Sequence, residues 1–294
     1  METLRLLRDA IDYIETHLQT EIVIDDVAKA ALSSKFHFQR MFHALTGFTV
    51  TEYIRNRRLT LAAEELAGGY CKVIDTALKY GYDSPEAFTK AFIRLHGVSP
   101  STARKKDVKL KSFPPLSFQI QIRGVTEMNY RIVEEKGYTV IGKEVIVQSD
   151  PNDEVPRFVE QIWKDGTHDA INEAAGREAG SLLFGYHYDF AEDGSKRYLM
   201  GCEFPGDREA PSDLTVLELP PQQTYVVFEG YEAITEDIEI GTGIQEVWRR
   251  IYAEWFPSAN FEQVEGPCIE KYYWLDKRQV DSKSEVWIPV RRKG

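Results

Sequence analysis

Apolar residues at helical spacing organise the first hundred positions of the chain. Leu4, Leu7, Ile11, Ile14 and Leu18 recur at three- and four-residue intervals and predict a helix over Glu2–Leu18. Ile24–Leu32 predicts a short helix with Asp25 and Asp26 in its first turn, where the helix dipole favours acids. Ser34 to Gly47 is an amphipathic helix begun by a Ser N-cap and stopped by Gly. Its Phe38, Met41, Phe42 and Leu45 make one stripe, which leaves Phe36, His37, Gln39, Arg40 and His43 on the other faces. Thr51 then predicts the N-cap of a longer helix ending at Gly68–Gly69. Ile54, Leu59, Ala62, Ala63 and Leu66 lie on its inner face, with Arg55, Arg57 and Arg58 facing out.

The pattern of two short helices around a tight turn then recurs. Val73–Tyr80 is followed by Gly81–Ser84 and by a helix from Pro85, with Ser84 as N-cap, Pro85 at the first helical position and Glu86 in the first turn. Phe88, Phe92 and Leu95 are its core positions. Past Arg104 the chain turns basic and reaches Pro114–Pro115, which predicts a linker over residues 109–126.

From about Glu127 the period changes to two. One unit runs strand 129–147, helix 156–165, strand 182–190, a turn at 192–195 and strand 197–204. A second runs strand 214–230, helix 243–256, strand 268–275, a turn at 280–283 and strand 285–290. Two strand–helix–strand–strand units make one α+β domain with pseudo-twofold symmetry and an antiparallel sheet. The expected fold is thus an all-α tandem helix-turn-helix domain over residues 1–108 followed by an α+β domain over 127–294.

The polar faces suggest chemistry. Arg is a bidentate partner for guanine and Gln for adenine, so Arg40 and Gln39 on an exposed second helix can read base edges. Arg55, Arg57 and Arg58 can meet phosphates, which fix register without reading sequence. The order of the motifs, two helix-turn-helices, the Tyr53-Ile-Arg-Asn-Arg-Arg-Leu59 helix between them and the closing Gly97-Val-Ser-Pro100, resembles the DNA-binding domain of the AraC/XylS regulators. The resemblance covers about 105 residues, and Ser34–Phe42 is nearest to the branch containing the multidrug-resistance activators. It implies two reader helices in successive major grooves of double-stranded DNA. Lys35, Phe36, Gln39, Arg40 and His43 belong to the first. Glu86, Thr89 and Lys90 match groove-facing positions of the second. Pro85 and Glu86 replace the amide pair of that branch and weaken base reading by the second helix.

Composition adds one point. The net charge of −11 conflicts with a DNA role until the chain is divided. Residues 1–111 hold 17 Lys and Arg against 14 Asp and Glu, and the remaining 183 hold 19 against 33, so the acid lies in the second half. The amphipathic N-terminus does not resemble a signal peptide, which implies the cytoplasm. Cys71, Cys202 and Cys268 are widely spaced and are expected as reduced thiols, and no metal or other cofactor is expected.

In the second half, Pro267-Cys-Ile-Glu-Lys-Tyr-Tyr273 and Trp287-Ile-Pro-Val290 resemble the GyrI-like effector-binding domain. Alternation puts Cys268, Glu270, Tyr272 and Trp274 on one strand face. The resemblance makes Glu270 the anchor for a cationic or amphipathic effector, with Tyr272 and Trp274 beside it. Leu182, Phe184, Tyr186, Tyr188 and Phe190 share one face of the equivalent strand and can supply the opposite wall. Trp248 and Trp255 are expected in the core. Two alternatives remain open: a second domain that binds a protein such as RNA polymerase or an inhibitor, or a hydrolase using Glu270 and Tyr272.

Overall fold

The structure is a computed structural model. It describes residues 2–69, 71–105, 107–117, 127–148, 151–206, 208–233, 242–274 and 281–293. Expectations for residues 118–126 and 275–280 and for the side chains of Leu4 and Trp274 lie outside the described residues. The chain forms two compact units, Met1–Arg123 and Gly124–Gly294. No described helix is long and apolar enough to cross a membrane.

The first unit is helical: α1 (Glu2–Thr16), α2 (Ile24–Ala30), α3 (Lys35–Thr46), α4 (Val50–Ala67), α5 (Val73–Lys79), α6 (Pro85–His96) and α7 (Pro100–Ala103). Polar caps set the starts. Ser34 accepts from the His37 amide, Ser84 from Ala87 and Ser99 from Thr102. The cap of α4 is Thr49 rather than Thr51. Thr49 and Glu52 exchange side-chain and backbone bonds in a capping box, a two-point closure that Thr51 cannot make. Both α3 and α6 stop on a left-handed glycine, Gly47 at φ 75° and Gly97 at φ 76°.

The apolar stripes close two small cores joined by α4. Phe38, Phe42 and Tyr53 pack ring to ring in the first. Leu59, Ala62, Ala63 and Leu66 meet Ala77, Tyr80, Phe88 and Phe92 in the second. Two positions on α3 differ from the stripe: Leu45 is 37% exposed and His37 is 4% exposed. The buried residues of α3, His37, Phe38, Met41 and Phe42, thus lie in its first two turns. The chain beyond α7 is not free. Leu110 joins the second core, and the Phe113 ring meets Phe48 edge-on at 5.0 Å between centroids. The Phe113 amide donates to Thr60 Oγ1 and the Leu116 amide to the Tyr53 hydroxyl. Part of the expected linker is therefore a strap docked along α4.

The second unit runs β1 (Tyr130–Glu135), β2 (Tyr138–Val147), α8 (Pro151–Lys164), α9 (Thr167–Ala174), β3 (Phe184–Tyr188), β4 (Lys196–Glu203), β5 (Thr215–Leu219) and β6 (Gln223–Ala233). It continues with α10 (Thr242–Arg250), which extends as a π-helical turn over Ile251–Trp255, then β7 (Phe261–Gln263), β8 (Cys268–Trp274) and β9 (Asp281–Arg292). The sheet is antiparallel in the order β1-β6-β9-β8-β3-β4-β2-β5, with β7 pairing β9. The expected duplication is visible in that order: β2, β4 and β3 mirror β6, β9 and β8 about the central β3–β8 pair. Each long first strand of the sequence pattern is broken into two. Left-handed Gly137 follows β1, left-handed Gln222 precedes β6, and each added edge strand pairs with a strand of the other repeat, β1 with β6 and β5 with β2.

The alternation along the strands separates two faces. One carries Ile141, Tyr198, Met200 and Cys202 against Ile162 and Ile171 of α8 and α9. The other carries Tyr186, Tyr188, Leu199, Leu219, Tyr225, Val227, Ile269 and Trp287 in one cluster. That cluster also takes in Val133 of β1 and Leu217 of β5. Strands from opposite ends of the order share it, so the sheet curls and its second face turns inward.

Candidate nucleic-acid interface and candidate ligand site

On α3, Phe36, Gln39, Arg40 and His43 are half-buried, and Lys35 lies 3.7 Å from Asp25 of α2. On α6, Glu86 and Lys90 are exposed and Thr89 half-buried. With Pro85 and Ile93 these three line a shallow surface depression. Arg55 is exposed near Glu52, at 3.8 Å.

The other two arginines of α4 face inward, which corrects their assignment as phosphate contacts. Arg57 is 5% exposed and forks onto Glu15 of α1, with Nε 2.9 Å from Oε1 and Nη2 2.8 Å from Oε2. Its Nη1 donates to the Phe113 carbonyl at 2.6 Å. Burial opposes the Arg57 charge, but Glu15 outweighs it and holds the guanidinium above its ordinary range. Arg58 donates to the carbonyls of Leu18 at 2.9 Å and Thr20 at 2.6 Å. It also lies over Gly81, where a Cβ would come within 2.8 Å of Nη1. Arg58 thus ties the chain after α1 to the turn of the second helix-turn-helix. Arg57 and Arg58 thus hold the helices of this unit together and leave Arg55 as the exposed cation among the three.

In the second unit, Glu270 is 6% exposed and fully partnered. Its Oε1 accepts from Trp248 Nε1 at 2.6 Å and lies 3.1 Å from His187 Nε2, and its Oε2 accepts from the Tyr272 hydroxyl at 3.1 Å. Burial alone would raise the carboxyl. The His187 charge and the bonds from His187 and Trp248 outweigh it and bring the group down to about 2. Register explains the arrangement. Glu270 stands opposite Gly185 on β3, and His187 stands opposite Cys268. The missing Cβ of Gly185 makes room for the Tyr198 ring, whose hydroxyl would lie 2.5 Å from it.

The same register pairs Tyr186 with Ile269, so Tyr186 and Tyr188 sit on the opposite face of the sheet from Glu270. That corrects the expected opposite wall. Tyr188 donates instead to Glu144, beside Arg197. Tyr272 stays with Glu270 as the alternation predicts. His187 and Trp248 are the residues the sequence pattern missed. His187 lies one position out of phase with the aromatic run of β3, and Trp248 has the same spacing as a core residue.

Residues 27–106 match the helix-turn-helix domain family, and residues 131–290 match the Cass2 family of integron-associated effector binding proteins. The Right origin-binding protein of Escherichia coli K12 is 28% identical over 306 residues, covering 99% of this chain and 100% of that protein. The Transposon Tn10 TetD protein of Escherichia coli is 41% identical over 100 residues, which span 34% of this chain and 72% of that protein. The chain belongs to the AraC-type family of transcription regulators, with a GyrI-like effector-binding domain as its second half. Among solved structures, SAV2435 bound to tetraphenylphosphonium aligns with 56% of this chain and 94% of its own, at 16% identity and a TM-score of 0.44.

As an AraC-type regulator the protein has its DNA-binding half in residues that fold as two linked helix-turn-helices. In the effector-binding half, the face that carries Glu270 holds the His187–Glu270–Trp248–Tyr272 cluster. His187 and Trp248 rings stand edge to face at 5.9 Å, and Trp248 stacks on Tyr252 at 6.2 Å. A carboxylate kept ionised among rings can hold a cation, and here His187 Nε2 already stands 3.1 Å from it.

Proposed function

We propose that this regulator is effector-responsive, reading operator DNA with Gln39 and Arg40 of α3 and taking a small lipophilic cation at Glu270. The observation that supports the ligand class is the buried Glu270 carboxylate, held ionised between the rings of Trp248, Tyr272 and Tyr198. A lipophilic cation that enters replaces His187 as counter-charge, so Glu270 stays ionised while the rings add cation–π attraction. Trp248 must give up its bond to Glu270 at the same time, which transmits occupancy to α10. The acid excess of residues 112–294 raises the local concentration of cations. Calorimetric titration of tetraphenylphosphonium into wild type and Glu270→Gln tests the seat. The expected result is binding to wild type and at least a tenfold loss, about 1.4 kcal/mol, in the variant. Equal affinities for the two proteins would leave Glu270 a structural residue.

A further inference from the structure

The inward face of the curled sheet holds a second arrangement, on the other side of β8 from Glu270. Lys271 follows Glu270 in the strand and so points to the opposite face. Its Nζ lies 3.9 Å from the Trp287 ring centroid and 5.7 Å from that of Phe184. Arg131 approaches the same Trp287 ring at 5.6 Å. Trp287 Nε1 donates to Glu285 Oε2 at 2.9 Å, and Glu285, 4% exposed, takes Arg131 and Lys283 at 3.0 Å each.

Lys271 and the two cations that pair with Glu285 are held differently. Arg131 and Lys283 are both tied into ion pairs with Glu229 and Glu285. Among the described residues Lys271 has no direct ion pair, and its ammonium is held by ring faces. Burial lowers its pKa. The more distant carboxylates Glu135, Glu285 and Glu203 act against that, and Arg131 adds to it. An ammonium over an indole in a half-buried setting is the arrangement by which proteins recognise organic cations. Here the chain supplies the cation itself, on a long flexible stem that can leave.

We propose that the Trp287–Phe184 seat is a second ligand site, for a quaternary ammonium carrying an apolar group, which Lys271 occupies in the ligand's absence. The incoming cation takes the ring faces and the field of Glu135, Glu203 and Glu285, and the Lys271 ammonium swings out to water. Lys271 therefore sets the threshold: it must be displaced before any ligand binds, and like-charge repulsion from Arg131 excludes small, well-hydrated cations that gain nothing from the rings.

The test is titration of benzyltrimethylammonium into the full chain and its Lys271→Met variant, with neopentylbenzene, the neutral carbon isostere, as control. Methionine keeps the apolar stem and removes the charge. The expected result is at least tenfold tighter binding of the ammonium to Lys271→Met, with a smaller change for neopentylbenzene. The gain should disappear when either Trp287→Leu or Phe184→Leu is added. Phe184 is only half-buried, which keeps the test sound if the buried Trp287 variant fails to fold. An unchanged or weaker affinity in Lys271→Met would overturn the proposal. An equal gain for the neutral isostere, or a gain that survives Phe184→Leu, would also overturn it.

Discussion

Arg57 and Glu15 meet in a forked ion pair that joins α4 to α1, with Nε to Oε1 at 2.9 Å and Nη2 to Oε2 at 2.8 Å. The Tyr53 hydroxyl also donates to Glu15, at 2.7 Å, and the Phe113 carbonyl accepts the remaining Arg57 bond. One carboxylate and one guanidinium thus hold the N-terminal helix, the central helix and the strap together. Removing one partner of such a pair strands the other, at a cost of about 3 kcal/mol. Arg57→Ala is expected to lower the stability of the helical unit by about that amount in urea titration. The salt slope of DNA binding, measured where the variant remains folded, should not change. A stable Arg57→Ala protein whose salt slope falls by about one unit would make Arg57 a phosphate contact after all.

The two helix-turn-helices place Leu32 and Gly81 at equivalent points of their turns, at φ 46° and φ 77°. Leucine in a left-handed backbone is strained by about 1–2 kcal/mol. Leu32 is also 77% exposed, so its side chain adds little packing in return. Leu32→Gly is therefore expected to leave stability level or raise it by about 0.5 kcal/mol, after the entropy of the unfolded glycine is counted. Gly81→Ala is expected to destabilise by about 2 kcal/mol, because strain adds to the collision with Arg58. Thermal unfolding of both variants checks the contrast. Destabilisation by Leu32→Gly equal to that by Gly81→Ala would show that the two turns are not equivalent.

The reader helices give a separate prediction. Arg40→Ala is expected to weaken the specific operator by about 1–3 kcal/mol and to relax preference at one base pair. Glu86 stands exposed on α6 and lines the depression with Lys90, where its charge is expected to repel a DNA phosphate. Glu86→Gln should strengthen binding to all sequences alike. Competition gel shifts over single-base operator variants separate the two effects. Equal losses for Arg40→Ala on operator and scrambled DNA would remove Arg40 from the readers.

How much of this was legible in the sequence depends on the range of the interaction. Caps, left-handed glycine stops and apolar stripes act within a few residues, so α3, α6 and the repeated units are visible as patterns. Arg57 and Arg58 share the polar character of Arg55. Only partners about forty residues away, Glu15 and the carbonyls of Leu18 and Thr20, turn them inward. Register is equally silent in a single strand. Period two correctly puts Glu270 with Tyr272, yet only the pairing of β3 with β8 brings His187 to Glu270 and sends Tyr186 to the far side. The strap shows the same limit, since Pro114–Pro115 suggests a linker while Phe113, beside them, supplies the anchor.

The His187–Glu270 pair predicts a reversal in pH dependence. In the native protein the Glu270 carboxyl is lowered to about 2, below the ordinary value near 4.3. A lowered carboxylate stabilises the fold above its unfolded pKa, and that contribution is lost as pH falls from about 4 toward 2. Wild type should therefore lose stability on acidification through this window. His187→Leu removes the positive neighbour, and burial, the largest influence on Glu270, then acts against the charged form and raises the group. A raised carboxyl stabilises below its unfolded pKa and loses that contribution as pH climbs through the new value. The variant should be about 3 kcal/mol less stable than wild type at neutral pH, where the stranded carboxylate stays buried. It should recover part of that difference near pH 4.5. Adding Glu270→Leu should restore much of the neutral-pH loss, because no buried charge then remains. Urea midpoints for wild type, His187→Leu and the double variant at pH 3, 4.5 and 7 decide it. Parallel pH profiles for wild type and His187→Leu would show that the Trp248 and Tyr272 bonds hold Glu270 ionised without the imidazole.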